Sequence, residues 1–396
     1  MTSLTQHLNN EHITRCVSPE LRLAALLSRP RLKPHQVDAA RISATTIEPD
    51  QLYRLVIAHR IWPAVFCNVR DYFPDWLSAS SFAHLKALYL ANLEQNQHTF
   101  VLCGKILRDC REQTIEMRVL KGLPLAFNLY ADIAKRHSND IDLVIKERDL
   151  EAVDLILTAA GFQCPEFDRL SKKQKQIYWA GSKDITYRDK AGTMIELHVR
   201  LSIINVKAID RYYQGLFDST CVDKLAQLEL IYLCFHGTQT LFHRLKWLTD
   251  IALYLESESP TFRRKLIEVA LETGAMRALS VSWVLAGQLF DVAIPQAIAA
   301  YYHHDARCRV LVDQCLKQLS NPFAFGSLLF ALKMWAYKPL IYQSNRESRD
   351  SFFSYLKPSP LDLEALPGLP QGLHFLYYLL RPALAVYRRL SHDYSR

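Results

Sequence analysis

Two aspartates one residue apart, Asp140 and Asp142, stand in the otherwise aliphatic run DIDLVI. In a β-strand, residues i and i+2 project from one face about 6–7 Å apart, so the two carboxylates share a face while Ile141 and Leu143 take the other. Unpaired carboxylates that close repel each other. A cation between them relieves this, and Mg²⁺ favours one or two carboxylates with phosphate oxygens completing its shell. The same pair could instead cap a turn or bind Arg136 and Lys146, and Asp-x-Asp alone does not decide. A third acid narrows the choice. The run TMIELHVRL sets Glu196 between Ile195 and Leu197, with His198 also in the run. Three acids converging from neighbouring strands would make a metal-ion constellation that activates an acceptor hydroxyl and stabilises a leaving pyrophosphate.

Upstream, the sequence LKG supplies Lys121 and Gly122 at a strand-to-helix turn, where helix N-terminal amides can hold phosphate oxygens and the lysine adds a point charge. Arg136 and Ser138, just before the acid strand, are placed to contact the same triphosphate. Each of these alone would be read as a surface residue; their order along the chain argues for a shared site. Downstream, His243, Lys246 and Asp250 fall at i, i+3 and i+7 on one helical face. They could face the cleft and hold base, triphosphate or acceptor, or Asp250 could pair with Arg244 or Lys246. His236 is expected to be a core histidine.

These residues need a scaffold. From Ser18 to about Gln113 the pattern is helical, with Leu85, Tyr89, Leu93, Phe100 and Leu107 on one face of a long helix. A β-like run, MRVLKG, ends at Gly122, a helix follows to about Ala131, and DIDLVI reads as a buried strand. Leu150, Val153 and Leu157 mark another helix, closed near Gly161. DITYR and TMIELHVRL, joined by DKAG with Gly192 in the turn, form a hairpin. Helical periodicity returns from about Val222 to Leu255 and continues to about Tyr342. The proline-rich segment 357–372 is expected to cross the surface before a last helix with Pro382 inside it, which is expected to pack on the core rather than lie on a membrane surface. No internal repeat is evident.

Composition sets outer bounds. With 396 residues, 49% hydrophobic and 22% charged, the chain is an ordinary globular protein long enough for two or three packed units. Nine scattered cysteines without a CxxC pair argue against a disulfide framework and against zinc, and suit a cytoplasmic location. The polar opening MTSLTQHLNNEH does not read as a secretion leader, and no run reaches 18 apolar residues. A net charge of +8 fits a polyanionic ligand without requiring one. Part of it lies in residues 169–190, seven Lys or Arg against two Asp, which is either a solvated face or an acceptor-binding patch.

With its glycine turn, Asp-x-Asp strand and later acid, the sequence resembles the polymerase-β-like minimal nucleotidyltransferases. It is more closely similar to a bacterial nucleotidyltransferase family with AHRIWPAVF-like, Lys-Gly, Asp-Ile-Asp-Leu and Glu-x-His elements, a stretch like HGTQTLFHRLKWLTDIALYL, and an ending like LPGLPQGLHFLYYLLRP. The resemblance implies an α+β fold in which a polymerase-β-like core, a small mixed sheet with helices, spans residues 114–215 between helical regions 1–113 and 216–396. It implies Mg²⁺ or Mn²⁺ held by Asp140, Asp142 and Glu196, with Glu196 the candidate base. Lys121, Gly122, Arg136 and Ser138 would serve the phosphates of a nucleoside triphosphate, with His198, His243, Lys246 and Asp250 as further binding candidates. The implied reaction moves a nucleoside monophosphate to an acceptor hydroxyl, on a small molecule or glycan precursor in preference to RNA. A toxin-like tRNA nucleotidyltransferase and a silent nucleotide-binding protein are the alternatives. Two departures stand out: Leu123 replaces the usual small residue after the turn glycine, and Val199 replaces an aromatic after the histidine.

Overall fold

The computed structural model describes residues 17–218, 222–322, 327–366 and 368–391. Among the described residues five helices precede the sheet: α1 (Pro19–Leu27), α2 (Pro34–Ala44), α3 (Pro49–Ala58), α4 (Trp62–Tyr72) and α5 (Ala79–Glu112). The first three open on proline, whose fixed φ and missing N–H suit the first helical position. Ser18 and Ser78 cap α1 and α5 by accepting from Leu21 N and Ser81 N.

The long α5 departs from the expected apolar stripe. Its buried face carries Leu85, Cys103, Ile106 and Cys110, with Asn92, Asn96 and Thr99 between, whereas Phe100 is 59% exposed. The asparagines are buried because they carry hydrogen bonds. Asn92 Nδ2 donates to Ala134 O at 2.9 Å, and Asn96 Nδ2 to Ile133 O at 2.6 Å and to Arg136 O at 3.0 Å. Together they clamp the loop that leads into the acid strand, satisfying carbonyls that no ladder pairs.

The chain then forms β1 (Met117–Leu120), α6 (Gly122–Tyr130) and β2 (Asp140–Ile145), followed by α7 (Leu150–Ala159), α8 (Pro165–Asp168) and α9 (Lys172–Gly181). The strands β3 (Asp184–Arg188) and β4 (Met194–His198) complete a four-stranded mixed sheet of order β1-β2-β4-β3. β2 runs parallel to β4, and the two outer pairs are antiparallel. Gly161 and Gly192 take positive φ where the sequence placed turns.

After the sheet come α10 (Lys207–Gly215), α11 (Val222–Gln239), α12 (Leu245–Ser257), α13 (Pro260–Thr273), α14 (Met276–Phe290), α15 (Gln296–His304), α16 (Ala306–Ser320), α17 (Leu328–Tyr337), α18 (Asn345–Ser354), α19 (Pro360–Ala365) and α20 (Leu376–Ser391). The helical stretch expected over 222–255 is broken at 240–244, where Leu241 and Phe242 adopt positive φ. Gly237 makes the reversal possible, because a Cβ there would sit 2.2 Å from the Phe242 ring.

Among the described residues two hydrophobic cores result. The larger joins helices from both ends of the chain, including Leu21, Leu52, Phe66, Ile231, Leu248 and Trp283. Polar ties reinforce it: Ser28 Oγ lies 2.9 Å from Thr249 Oγ1, and Arg29 pairs with Glu256 at 2.7 Å. The smaller core, including Ile141, Leu143, Leu157, Tyr187 and Leu197, lies on one face of the sheet. The proline-rich segment does more than cross the surface. Leu363 enters the smaller core, and a Cβ on Gly181 would sit 2.0 Å from Pro358 O. The last helix docks by its first turns: Tyr377 is buried, its hydroxyl donates to Leu366 O at 2.7 Å, and Arg381 pairs with Asp362 at 3.2 Å. Seven of the nine cysteines lie among the described residues, all buried and without disulfides; Cys16 and Cys221 lie outside them. Among the described residues, no helix is long and apolar enough to cross a membrane.

Candidate active site

The parallel register of β2 and β4 sets Asp142 directly opposite Glu196, and Val144 opposite His198. Because i and i+2 share a face, His198 lies beside both acids. Ligand atoms of Asp142, Glu196 and His198 all fall within 4.8 Å of one another, a grouping that could hold a metal ion. His198 Nε2 lies 3.0 Å from Asp142 Oδ1 and 3.6 Å from Glu196 Oε2. The antiparallel register of β3 adds Asp184, the partner of His198, with Oδ2 3.5 Å from His198 Nδ1. Lys183 Nζ approaches Asp184 at 3.2 Å and His198 Nδ1 at 3.4 Å. A lysine at His198 Nδ1 assigns the proton to Nε2, which donates to Asp142.

The electrostatics of this cluster are uneven. Burial would raise Asp142, but the Lys121 ammonium at 3.0 Å and the His198 hydrogen bond hold it well below the ordinary carboxylate value. Burial, and then the Lys183 charge, lower His198 and keep it neutral. Glu196 is pushed up to about 7, first by burial and then by the neighbouring Asp142 charge. Three carboxylates, Asp142, Asp184 and Glu196, thus meet two ammonium groups, Lys121 and Lys183. With Glu196 ionised the set is one positive charge short. A divalent cation between Asp142 and Glu196 suits this donor set, with His198 orienting Asp142 through Nε2–H.

Lys121 enters the cluster from an unusual backbone, φ 48 and ψ −114, at the turn between β1 and α6. A non-glycine residue there is strained by about 1–3 kcal/mol, and such strain persists where a side chain must be aimed. Gly122 follows because a Cβ at that position would meet Ser138 Oγ at 3.0 Å. The helix opens with the amides of Gly122 and Leu123, and Pro124 contributes none. Ser138 Oγ donates to Asp140 O at 3.3 Å. Asp140, at the head of β2, lies outside the Asp142 cluster and is half-buried. Its charge acts on Arg60, Arg136 and Lys246.

Two residues expected to serve the nucleotide engage each other. Arg136 Nε and Nη2 donate to Asp250 Oδ1 and Oδ2 at 2.9 and 2.8 Å, Tyr130 Oη donates to the same Oδ1 at 2.9 Å, and Arg136 Nη1 reaches Gly122 O at 3.3 Å. Lys246, one turn before Asp250 on α12, donates to His137 O at 3.2 Å and is lowered to about 7 by burial and by Arg136. His243 precedes the helix, with its ring edge-on to Trp247 at 4.6 Å. His236 stands on a cavity wall beside the cluster, also edge-on to Trp247. The AHRIWPAVF element packs here too. The Trp62 ring lies 4.3 Å from that of His137, and His59 accepts from Leu245 N.

Arg60, Lys183, Asp184 and the two asparagines of α5 join the site without standing out in the sequence. The hairpin register carried a signal for one of them: a turn at DKAG places Asp184 across from His198. The basic segment divides: Lys183 enters the cluster and Lys175 sits 4.5 Å over the Phe167 ring, while Arg169, Lys172, Lys173, Arg188 and Lys190 face solvent.

A small mixed sheet that sets a buried and a half-buried acid opposite each other beside a lysine-glycine turn belongs to a mainly helical α+β protein of the nucleotidyltransferase class. The chain is a member of the family described as uncharacterised nucleotidyltransferase, whose model matches residues 45–291. Membership places it among the transferases and implies a nucleoside triphosphate substrate. No curated protein and no solved structure matches the chain.

Proposed function

We propose that the protein is a divalent-metal-dependent nucleotidyltransferase with a polymerase-β-like core, moving a nucleoside monophosphate to the hydroxyl of a small molecule or glycan precursor. The observation that carries this reading is the Asp142–Glu196 pair, facing across parallel strands and one positive charge short. Asp142 and Glu196, with Asp140 at the head of the same strand, would hold Mg²⁺ or Mn²⁺, which when bound neutralises phosphate oxygens. The chain's own groups supply the rest. Lys121 and the amides at Gly122 bind phosphate oxygens, and Arg60 and Lys246 draw the triphosphate towards Asp140. The acceptor oxygen forms a bond to the α-phosphorus while the α–β anhydride bond breaks, pyrophosphate leaves with the electron pair, and the hydroxyl proton passes to Glu196.

Incubating the full chain with each α-³²P nucleoside triphosphate, Mg²⁺ and a cell extract, then separating RNA, protein and small molecules, tests the reading. Label is expected in the small-molecule fraction. Label confined to RNA would replace the acceptor with a nucleic acid, and no transfer in any fraction would leave a silent nucleotide-binding protein.

A further inference from the structure

A cavity of about 250 Å³ opens against the far side of the cluster. Its wall includes Lys183, Asp184, Tyr232, His236, Lys338 and Tyr342. Lys183 and Asp184 both reach His198, so cavity and acid cluster share a wall. Strand order fixes the side. The Lys121–Gly122 turn follows β1 on one edge of the sheet, the cavity lies at β3 on the other, and Asp142 and Glu196 stand between. A triphosphate at Gly122 and a second substrate in the cavity would then adjoin at the acid cluster, where Lys121 Nζ lies 5.8 Å from the ring of Tyr232 on the cavity wall.

The cavity is polar in one respect and apolar in another. Two ammonium groups face it, and they differ in their partners. Lys183 is matched by Asp184 at 3.2 Å, whereas Lys338 meets the Tyr355 ring at 5.5 Å and, among the described residues, pairs with no carboxylate. Burial and the Lys183 charge push Lys338 down to about 8. A half-buried ammonium without a counter-charge offers a ligand anion a charged hydrogen bond in a partly dehydrated site. Tyr232, Phe235 and Tyr342 give the same space flat apolar walls. The volume suits a small molecule and excludes a folded macromolecule.

We propose that this cavity is the acceptor subsite, and that the acceptor is a small molecule carrying an oxyanion, a phosphomonoester or a carboxylate, anchored by Lys338 with Lys183 beside it. The assignment rests on the nucleotidyl-transfer reading and narrows its acceptor. The anionic group sits at Lys338, the ring or chain lies along the aromatic wall, and the hydroxyl end points to Glu196.

Calorimetric titration of the full chain at fixed ionic strength with phenyl phosphate, benzoate and benzyl alcohol tests it, with Mg²⁺–nucleoside triphosphate titrated separately. One or both anions should bind at least about tenfold more tightly than the neutral alcohol, the scale of a charged hydrogen bond. Preference for phenyl phosphate assigns a phosphomonoester, and preference for benzoate a carboxylate. Lys338→Met should reduce anion binding by about the same factor, Lys338→Arg should retain it, and both should bind nucleotide as the wild type does. Methionine keeps the length and removes only a half-buried charge, so the thermal transition should persist. Anions that bind no better than benzyl alcohol, or Lys338→Met without effect, would overturn the assignment. Nucleotide binding that weakens in step with anion binding would give the cavity to the triphosphate and overturn it as well. A wild-type protein that binds no nucleotide would remove the nucleotidyl-transfer reading, and the acceptor assignment with it, whatever the anions do.

Discussion

Asp250 and Asp142 are 2% and 4% exposed, and each accepts from a basic side chain at 3.0 Å or less. Their surroundings differ in charge. Around Asp250 the account closes: Arg136 grips both oxygens, Tyr130 adds a third bond, and Arg136 returns a hydrogen bond to Gly122 O. Around Asp142 it stays open, because Glu196 opposite is a second carboxylate, 3.6 Å from a neutral histidine. The first arrangement fixes the loop before β2 in place. The second, with Glu196 ionised, is left with a negative surplus that an added cation removes. Buried acids of the same type are therefore separated by their unmet charge, not by their burial.

The contrast can be broken most severely at Asp142. Asp142→Asn is expected to lower nucleotide transfer by about a thousandfold or more, the scale of losing a metal-binding or charge-stabilising group. Its thermal midpoint should fall less than that of Asp250→Asn, because removing the Asp142 charge relieves Glu196 as it weakens the tie to Lys121. A lost thermal transition would make Asp142 a structural residue. Asp250→Asn reverses the pattern. Breaking a buried bidentate pair strands Arg136 and should cost about 3–5 kcal/mol in a denaturant titration, while the molecules that remain folded transfer within a few-fold of wild type.

Glu196→Gln sharpens the contrast through pH. In the folded chain Glu196 titrates near 7, above its unfolded value, so the folded state holds a proton that the unfolded state lacks between about 4.5 and 7. Stability of the metal-free wild type should rise as pH falls through 7 and level off near 4.5. The glutamine variant should lack that slope and exceed wild type at pH 8 by on the order of 2 kcal/mol, with transfer lost. The smallest effect is expected at the exposed basic segment. Neutralising Lys172, Lys173 and Lys175 together should leave Mg²⁺–nucleotide affinity and small-molecule labelling unchanged, checked by calorimetry and by the labelling assay.

Much of the catalytic core was legible in the sequence. The strand DIDLVI and the hairpin around DKAG appear where alternation and turn residues placed them, because a period of two and a glycine turn are local signals. Asp142 and Glu196 face each other as two acids in buried strands suggest. What was not legible depends on contacts far apart in sequence. Arg136 was read towards phosphate, and its partner lies 114 residues away on α12. Lys183 looked like one more charge in a basic run until the register of β3 turned it to His198. The inner face of α5 reads as apolar only at its ends, since Asn92 and Asn96 are there for carbonyls that no helical period announces. Lys338 has no local signal at all, because its meaning comes from Lys183 across a cavity.

The central claim is that the Asp142–Glu196 pair is completed by a divalent cation together with a nucleoside triphosphate. Isothermal titration of nucleoside triphosphate into the full chain, once with Mg²⁺ and once with EDTA, tests it most directly. Binding is predicted with Mg²⁺ only, and its loss in Asp142→Asn. Equal affinity in Mg²⁺ and in EDTA would contradict it.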